Sequence, residues 1–244
     1  MNKLTLSLTS LLILTISNQA FCFSFGPMNM TLDQEGKKAT GVFVLESKAT
    51  DIVPIQISIE KRMLDAEGKE TTAPLDPTDK FLIYPPMISL GPNEKRMVKI
   101  VYMGPKDLQV EKSYRLWATQ LPVKNYEKDK DKSQLKILSR YGASLYVAPF
   151  GAKPKVEMLE ARRVEDKNPK LLMTFENHGT AHENLMYFSI KITGKNKSYT
   201  IEWKDIKSTF TSINVFPKQK RSVSMPWNAE FPTGPLTCEI QPAE

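Results

Sequence analysis

The sequence has few of the residues on which catalytic and redox chemistry depends. Its 244 residues include only two cysteines and two histidines. Two cysteines cannot form the disulfide framework of a small secreted domain, and Cys238 is expected to pack in a core rather than to react. The chain also lacks a glycine-rich phosphate loop and a Gly-x-Ser-x-Gly nucleophile turn. We therefore expect no catalytic residue and no cofactor.

The two histidines, His178 and His182, lie four residues apart in the segment ENHGTAHEN. This is the spacing of two metal ligands on one face of a helix. Gly179 and Thr180 lie between them and disfavour a helix. We therefore predict two solvent-exposed loop histidines and no metal site. An enzyme that uses both histidines is the alternative, and it would purify with a bound metal.

Long hydrophobic runs are absent except at the N-terminus. Lys3 is followed by an apolar stretch over residues 4–16 and by small residues near Ala20. This order is typical of a secretory signal peptide, and the apolar stretch is too short to cross a bilayer. Cleavage after Ala20 or after Cys22 fits the pattern, whereas Phe21 argues against a lipid on Cys22. We predict a signal peptide over residues 1–22 and an exported, soluble protein without membrane insertion.

The charge of the chain is moderately basic, with 34 Lys and Arg against 27 Asp and Glu. Acidic and basic residues alternate along nearly the whole chain, which is typical of a solvated surface rather than of a nucleic-acid interface. The hydrophobic content of 41% is that of a folded globular protein. We therefore predict a folded protein that has no nucleic-acid partner.

Apolar residues alternate with polar ones in most of the chain, as in PIQISIE at residues 54–60. A period of two is the pattern of half-buried strands, and Gly- and Pro-rich turns, such as GKNK at 194–197, separate the segments. No stretch after residue 22 shows sustained helical spacing. The rhythm restarts after the proline-containing segment 148–154, which predicts a short elbow. The chain is thus predicted to be all-β, with one β-sandwich over residues 23–149 and another over 150–244.

The order of several segments resembles that of the periplasmic chaperones of chaperone–usher pilus assembly. The matching segments are the extended residues 23–32 and, after them, PIQISIEKRMLDAEGKE, FLIYPPMISLGPNEKRMVKIVYMG, EKSYRLWATQLP and the strand ending in YVAP. The second half matches only in its strand pattern. The resemblance implies two immunoglobulin-like domains joined by a short elbow. It also implies a chaperone in the periplasm that binds pilus (fimbrial) subunits and delivers them to an outer-membrane usher.

The resemblance also implies where a subunit binds. Such chaperones lend the last strand of their first domain to a subunit that lacks one, which is donor-strand complementation. Here that strand is predicted over residues 135–147, after the highly charged segment 124–134. Its more apolar face is assigned to the subunit, and its other face is expected to pack inward. The subunit-facing row is Leu135, Ile137, Ser139, Tyr141 and Ala143.

The chain departs from the family where the subunit's terminal carboxylate is held. Family members use a basic residue on the first strand and a lysine on the last strand of that domain. Residues 23–32 contain no Lys or Arg, and the last-strand position falls near Ser144. Arg115 and Arg140, on adjoining strands, are the candidate replacements, because arginine suits a carboxylate. The departure indicates either a divergent branch of the family or a relative that serves another client.

A different class of protein also fits much of the sequence. An exported immunoglobulin-like adhesin or carbohydrate-binding module would have the same leader, strands and surface charge. It would not need a charged segment before a long donor strand. A chaperone is expected to purify with a subunit, and an adhesin without one.

Overall fold

The computed structural model describes residues 23–122 and 137–242. The predicted signal peptide, the charged segment 124–134 and Leu135 therefore lie outside the described residues. The described part forms two β-sandwiches, each with its own hydrophobic core, which confirms the predicted all-β fold class. Within it, no helix has the length and apolar character needed to cross a membrane.

The first sandwich consists of ten strands in two sheets. Its strands are β1 (Phe23–Gly26), β2 (Asn29–Asp33), β3 (Thr40–Ser47), β4 (Val53–Leu64), β5 (Glu70–Ala73), β6 (Phe81–Tyr84), β7 (Met87–Leu90), β8 (Lys95–Tyr102), β9 (Lys112–Gln120) and β10 (Arg140–Ala148). One sheet has the order β1-β3-β8-β6, and the other has the order β2-β10-β9-β4-β5 with β7 also paired to β4. All pairs are antiparallel except that of β10 with β2.

The core of this sandwich follows the predicted alternation. In β3, Phe43 and Leu45 are fully buried, whereas Val42, on the opposite face of the strand, is exposed to solvent. In β4, Ile55 and Ile57 face the core from the opposite sheet. Since successive side chains of a strand point to opposite faces, one apolar row per strand is enough to build each inner surface.

Strand β10 differs in its start from the predicted strand over residues 135–147. It begins at Arg140, and residues 137–139 have no regular structure. It pairs with β9 over Arg140–Val147 but with β2 only over Ser144–Ala148. Among the described strands, β10 thus has a neighbour on both edges only from Ser144 onwards. The first part of β10 lies at the open edge of its sheet.

The second sandwich follows a seven-residue connection after β10, and the predicted boundary between residues 149 and 150 falls in that connection. Its strands and single α-helix are β11 (Val156–Val164), β12 (Lys170–Asn177), β13 (Glu183–Asn184), β14 (Phe188–Thr193), β15 (Ser198–Ile201), α1 (Trp203–Thr209), β16 (Asn214–Val215), β17 (Lys220–Pro226) and β18 (Thr237–Pro242). Its sheets are β11-β12-β17, β15-β14-β18 and the pair β13-β16. The predicted turn at 194–197 joins β14 to β15 through a hydrogen bond from the Gly194 N–H to the Lys197 carbonyl.

The helix α1 was not predicted from the sequence. It spans two turns and buries only Ile206 in the second core. A helix with a single buried residue shows no detectable helical period of apolar residues, so the sequence pattern does not predict it.

Candidate functional site

Two arginines meet on the outer face of the six-stranded sheet of the first sandwich. Arg115 on β9 lies directly opposite Ser144 on β10 and opposite Glu60 on β4. Arg62 lies two residues beyond Glu60, on the same face of β4. This register places both guanidinium groups next to the Ser144 hydroxyl, to which Arg115 Nη1 donates at 3.0 Å and Arg62 Nη1 at 3.3 Å.

A single carboxylate, that of Glu70, binds both arginines. Arg62 Nε donates to its Oε2 at 2.8 Å, Arg115 Nε donates to its Oε1 at 2.7 Å, and Arg115 Nη2 also donates to Oε2. Burial tends to raise the pKa of Glu70, but the hydrogen bonds and charges of Arg115 and Arg62 outweigh it and hold the pKa below its usual range. Two cations and one anion give this arginine pair a net charge of one positive, which suits an incoming carboxylate.

Arg62 also contacts groups at the boundary between the sandwiches. Its side chain is 5% exposed. Its Nη1 donates to the Tyr146 hydroxyl at 2.9 Å, and its guanidinium lies 5.2 Å from the centre of the Phe216 ring of the second sandwich. Burial raises the pKa of Tyr146, so that this hydroxyl is a neutral acceptor.

Arg140 lies elsewhere on the same face, and the expected convergence of Arg115 and Arg140 does not occur. Arg140 pairs with Thr119, four positions along the strand from Arg115, which is roughly 13 Å at about 3.3 Å per residue. Its guanidinium stacks 3.8 Å from the centre of the Trp117 ring and approaches Glu60 at 3.5 Å. The indole can lie flat here because residue 142 is glycine: a Cβ there would come within 2.4 Å of the ring.

The predicted subunit-facing row is divided between solvent and core. Ile137 precedes β10 and is 72% exposed. Ser139 is half-buried, and its N–H donates to the side-chain oxygen of Gln120 at 3.1 Å. Tyr141 is half-buried against the Phe23 ring, with ring centres 4.8 Å apart. Ala143, in contrast, is fully buried in the core of the first sandwich. The accessible part of the described row therefore ends at Tyr141.

Neither residue of the opposite face packs into the core of the first sandwich as expected. Tyr146 lies on the outer face and is buried at the boundary with the second sandwich. Leu138 is 49% exposed and is not packed inward. It precedes β10, which begins at Arg140.

An apolar cavity lies beside the start of β10. It has a volume of about 280 Å³ and lies between β1 and Tyr141. Its lining residues are Phe23, Ser24, Phe25, Met28, Lys48 and Tyr141. The cavity leaves apolar side chains of β1 accessible beside Tyr141.

The second histidine has a role that the sequence did not reveal. His182 was expected to be exposed, but its ring stacks on Tyr146, with ring centres 3.7 Å apart and an interplanar angle of 11°. Its Nδ1 lies 2.7 Å from Oε1 of Glu111, and its backbone N–H donates to the same oxygen at 3.2 Å. The Glu111 N–H donates in turn to the Thr180 carbonyl at 2.9 Å. His182 thus joins the two sandwiches, whereas His178 is 42% exposed.

The remaining chemical candidates are structural. In the described part of the chain, no group of three His, Cys, Asp or Glu side chains is placed to hold a metal ion. Cys238 packs against the second core, and burial raises the pKa of its thiol to about 11. A thiol with so high a pKa is a poor nucleophile.

Sequence reasoning found Arg115 but missed Arg62. Arg62 follows Ile55, Ile57 and Ile59 in the alternating pattern of one long strand and carries no motif of its own. Its importance comes from the register that places β4 beside β9. The signal available in the sequence was the spacing of Glu60 and Arg62, which predicts a shared face.

Solved structures with a similar fold include a fimbrial chaperone and complexes that contain chaperones. A chain of the CsuC–CsuE chaperone–tip adhesion subunit pre-assembly complex of Acinetobacter baumannii archaic Csu pili has 15% identity and a TM-score of 0.56, with 85% of this chain and 89% of that chain covered. The class 5 fimbriae chaperone CfaA has 13% identity and a TM-score of 0.55, with 90% and 98% covered. The SafA pilin complex with the SafB chaperone of Salmonella enterica has 18% identity and a TM-score of 0.53, with 86% of each chain covered. These likenesses define the fold.

A family model defines the protein more closely. The model described as pili and flagellar-assembly chaperone, PapD N-terminal domain, matches residues 29–153, which is just over half of the chain. The chain belongs to this family of pilus assembly chaperones. Comparison with curated protein sequences gives no match.

Proposed function

We propose that this protein is a periplasmic chaperone that captures pilus subunits by donor-strand complementation and delivers them to an outer-membrane usher. Family membership supports the chaperone role, and the tripartite pattern of residues 1–22 supports export to the periplasm. Delivery to an usher is supported by family membership alone. Binding of a subunit has independent support from the geometry of β10.

The main support for the proposal is the row of alternate residues from Ile137 to Leu145, which is buried at one end and exposed at the other. Ala143 and Leu145 of this row are fully buried in the chaperone's own core. Tyr141 lies at the edge beside the apolar cavity, and Ile137 is largely exposed. A row that continues from a core into solvent at an open sheet edge is suited to enter the open groove of a partner that lacks a strand.

We further propose that the arginine pair Arg62 and Arg115 holds the terminal carboxylate of the subunit. The pair surrounds Ser144, close to the position at which the family resemblance places a lysine. Its net positive charge and low exposure favour a charge-assisted hydrogen bond to a carboxylate. Arg140 is not part of this proposal, because it lies four residues along β10 from Ser144 and does not join the arginine pair.

The test of donor-strand binding is a single substitution in the exposed part of the row. Ile137→Asp should weaken subunit binding ~100-fold or more, because an unpaired charge in an apolar groove costs several kcal/mol. The measurement is the yield of subunit that purifies with tagged chaperone from its native periplasm. The matched control is Met97→Asp on β8, which changes an equally exposed side chain (67%) of the other sheet. Equal yields for wild type and Ile137→Asp would contradict the proposal, and a wild-type chain that yields no subunit would favour an adhesin.

The test of the anchor uses a second pair of variants. Arg115→Ala should reduce the yield strongly, since truncating one partner of a buried charged contact typically costs about 2–5 kcal/mol. Arg140→Ala should leave it within about twofold of wild type, since an exposed ion pair contributes about 0–1 kcal/mol. The opposite ranking would assign the anchor to Arg140.

A further inference from the structure

The arginine pair of the first sandwich contacts the second sandwich by two routes. The Phe216 ring lies beside the guanidinium of Arg62. The His182 ring lies flat on Tyr146, whose hydroxyl accepts a hydrogen bond from Arg62 Nη1. Because the hydroxyl of a tyrosine moves with its ring, the packing of His182 on the Tyr146 ring influences the position of the hydroxyl that Arg62 contacts.

His182 is held in place by the first sandwich itself. Glu111, whose side chain is 3% exposed, contacts both the Nδ1 and the backbone N–H of His182 through one carboxylate oxygen. The second carboxylate oxygen takes no part in these contacts, so the imidazole is oriented by a single, directional acceptor. The Tyr146 ring thus contacts one face of the His182 imidazole, and the Glu111 carboxylate contacts its edge.

We propose that His182 is a positioning residue that orients Arg62 for carboxylate binding through Tyr146. This inference rests on the proposed function, since it assigns a purpose to the arginine pair. In this arrangement, docking of the second sandwich completes the anchor in the first. Loss of the His182 ring would leave the Tyr146 ring uncovered on one face, and the Tyr146 hydroxyl would no longer be fixed as an acceptor for Arg62.

The first experiment observes Arg62 directly and needs no subunit. The Nε–Hε resonances of the arginines are recorded by NMR on the ¹⁵N-labelled protein, with Arg62 assigned from Arg62→Lys. His182→Ala should shift or broaden the Arg62 signal and leave that of Arg96, which is remote from the domain boundary, in place. His178→Ala is the matched control, because it removes the other, more exposed histidine of the same loop. An unchanged Arg62 signal in His182→Ala would overturn the proposal.

A second variant separates positioning from folding. His182→Phe retains a ring on Tyr146 but loses the Nδ1 contact with Glu111. It should restore the Arg62 signal most of the way to its wild-type position. If His182→Phe and His182→Ala displace the signal equally, the stacked ring does not transmit the effect, and the proposed route through Tyr146 is wrong.

The third measurement links the position of Arg62 to binding. The probe is a synthetic peptide of alternating Val and Ser with a free C-terminal carboxylate, compared with the same peptide as a C-terminal amide. Wild type should prefer the acid by about tenfold or more, and His182→Ala should bring this ratio close to one without weakening binding of the amide. A variant that keeps the wild-type ratio would contradict the positioning role. A wild-type chain that binds both peptides equally would contradict the proposed anchor instead, and the Arg62 signal would still decide the role of His182.

Discussion

At the scale of single residues, the arrangement around Ser144 depends on Glu70. This carboxylate joins Arg62 and Arg115, two cations that would otherwise repel each other at close range. The three side chains belong to three strands, so the contacts of Glu70 also stabilise the sheet. The folded state is therefore expected to depend on the ionisation of this one group.

We predict that Glu70→Gln lowers stability at neutral pH by about 1.5–3 kcal/mol, the usual range for hydrogen bonds to charged groups. The pKa of Glu70 is depressed below its ordinary value of 4.5 in the fold. Its contribution is therefore present above that value and is lost as the pH falls through the lower, folded-state pKa. Urea unfolding from pH 7 to pH 3 should show a weaker acid dependence in Glu70→Gln than in wild type. Glu230→Gln, an exposed control, should retain the wild-type profile, and a wild-type profile in Glu70→Gln would contradict the assignment.

The family resemblance led to Arg115 as a candidate anchor on β9, but not to Arg62 beside it. Like Arg62, Arg115 lies in a segment that the resemblance covers. Arg62 joins it only because Ser144, Arg115 and Glu60 stand in register across three strands. His182 was missed for a similar reason: its partners Glu111 and Tyr146 are 71 and 36 residues away, and no local pattern reports such a contact.

At the scale of elements, one row of side chains passes from the core of the first sandwich at Ala143 and Leu145 to solvent at Ile137, before β10 begins. The predicted strand was placed correctly in the chain, but its start was set at residue 135 because alternation continues there. The described strand begins at Arg140, because its pairing with β9 begins there. The alternation of apolar and polar residues indicates which side chains share a face, whereas pairing with a neighbouring strand determines where a strand begins and ends.

We predict that an aspartate destabilises the first sandwich at the buried end of this row but not at its exposed end. Ala143→Asp should destabilise the first sandwich by several kcal/mol, because it places an unpaired charge in the core. Ile137→Asp should change stability by less than about 0.5 kcal/mol, because that side chain is exposed. The measurement is the midpoint of chemical unfolding for each variant. Similar midpoints for the two variants would mean that the row is not divided as described.

The turn between β4 and β5 is a second element that contacts the other sandwich. Gly68 has a φ of 77°, and a Cβ there would overlap the guanidinium of Arg221 on β17. The Ser222 N–H also donates to the Ala66 carbonyl at 2.6 Å. This turn therefore requires glycine for its backbone and for its close approach to the second sandwich.

We predict that Gly68→Ala is more costly when Arg221 is present. In the wild-type background it should incur both the backbone strain, about 1–2 kcal/mol, and the displacement of Arg221. In an Arg221→Ala background only the strain remains. A double-mutant cycle by urea unfolding should give a coupling of about 0.5 kcal/mol or more. Additive effects would show that Arg221 does not pack on this turn.

At the scale of the whole molecule, the two sandwiches were predictable because each has its own alternating pattern and the proline-containing connection interrupts it. Their mutual docking was not predictable. It depends on the polar contacts of Glu111 with His182 and of Ala66 with Ser222, and on ring contacts such as that of Tyr146 with His182. None of these contacts leaves a periodic signal in the sequence. The boundary at residues 149 and 150 stays a prediction.

The central claim is that the beginning of β10 is the surface that receives a subunit. Amide hydrogen exchange over residues 137–143, compared between the free chain and the chain bound to the subunit with which it purifies, tests this most directly. We predict that the amides of this segment that are not already bonded to β9 exchange about tenfold or more slowly in the complex, because a subunit strand would pair with them. The amides of Ser144–Val147, which already have a strand on both edges, should change little. Equal exchange of residues 137–143 in the two states, with protection appearing on another surface, would contradict the account.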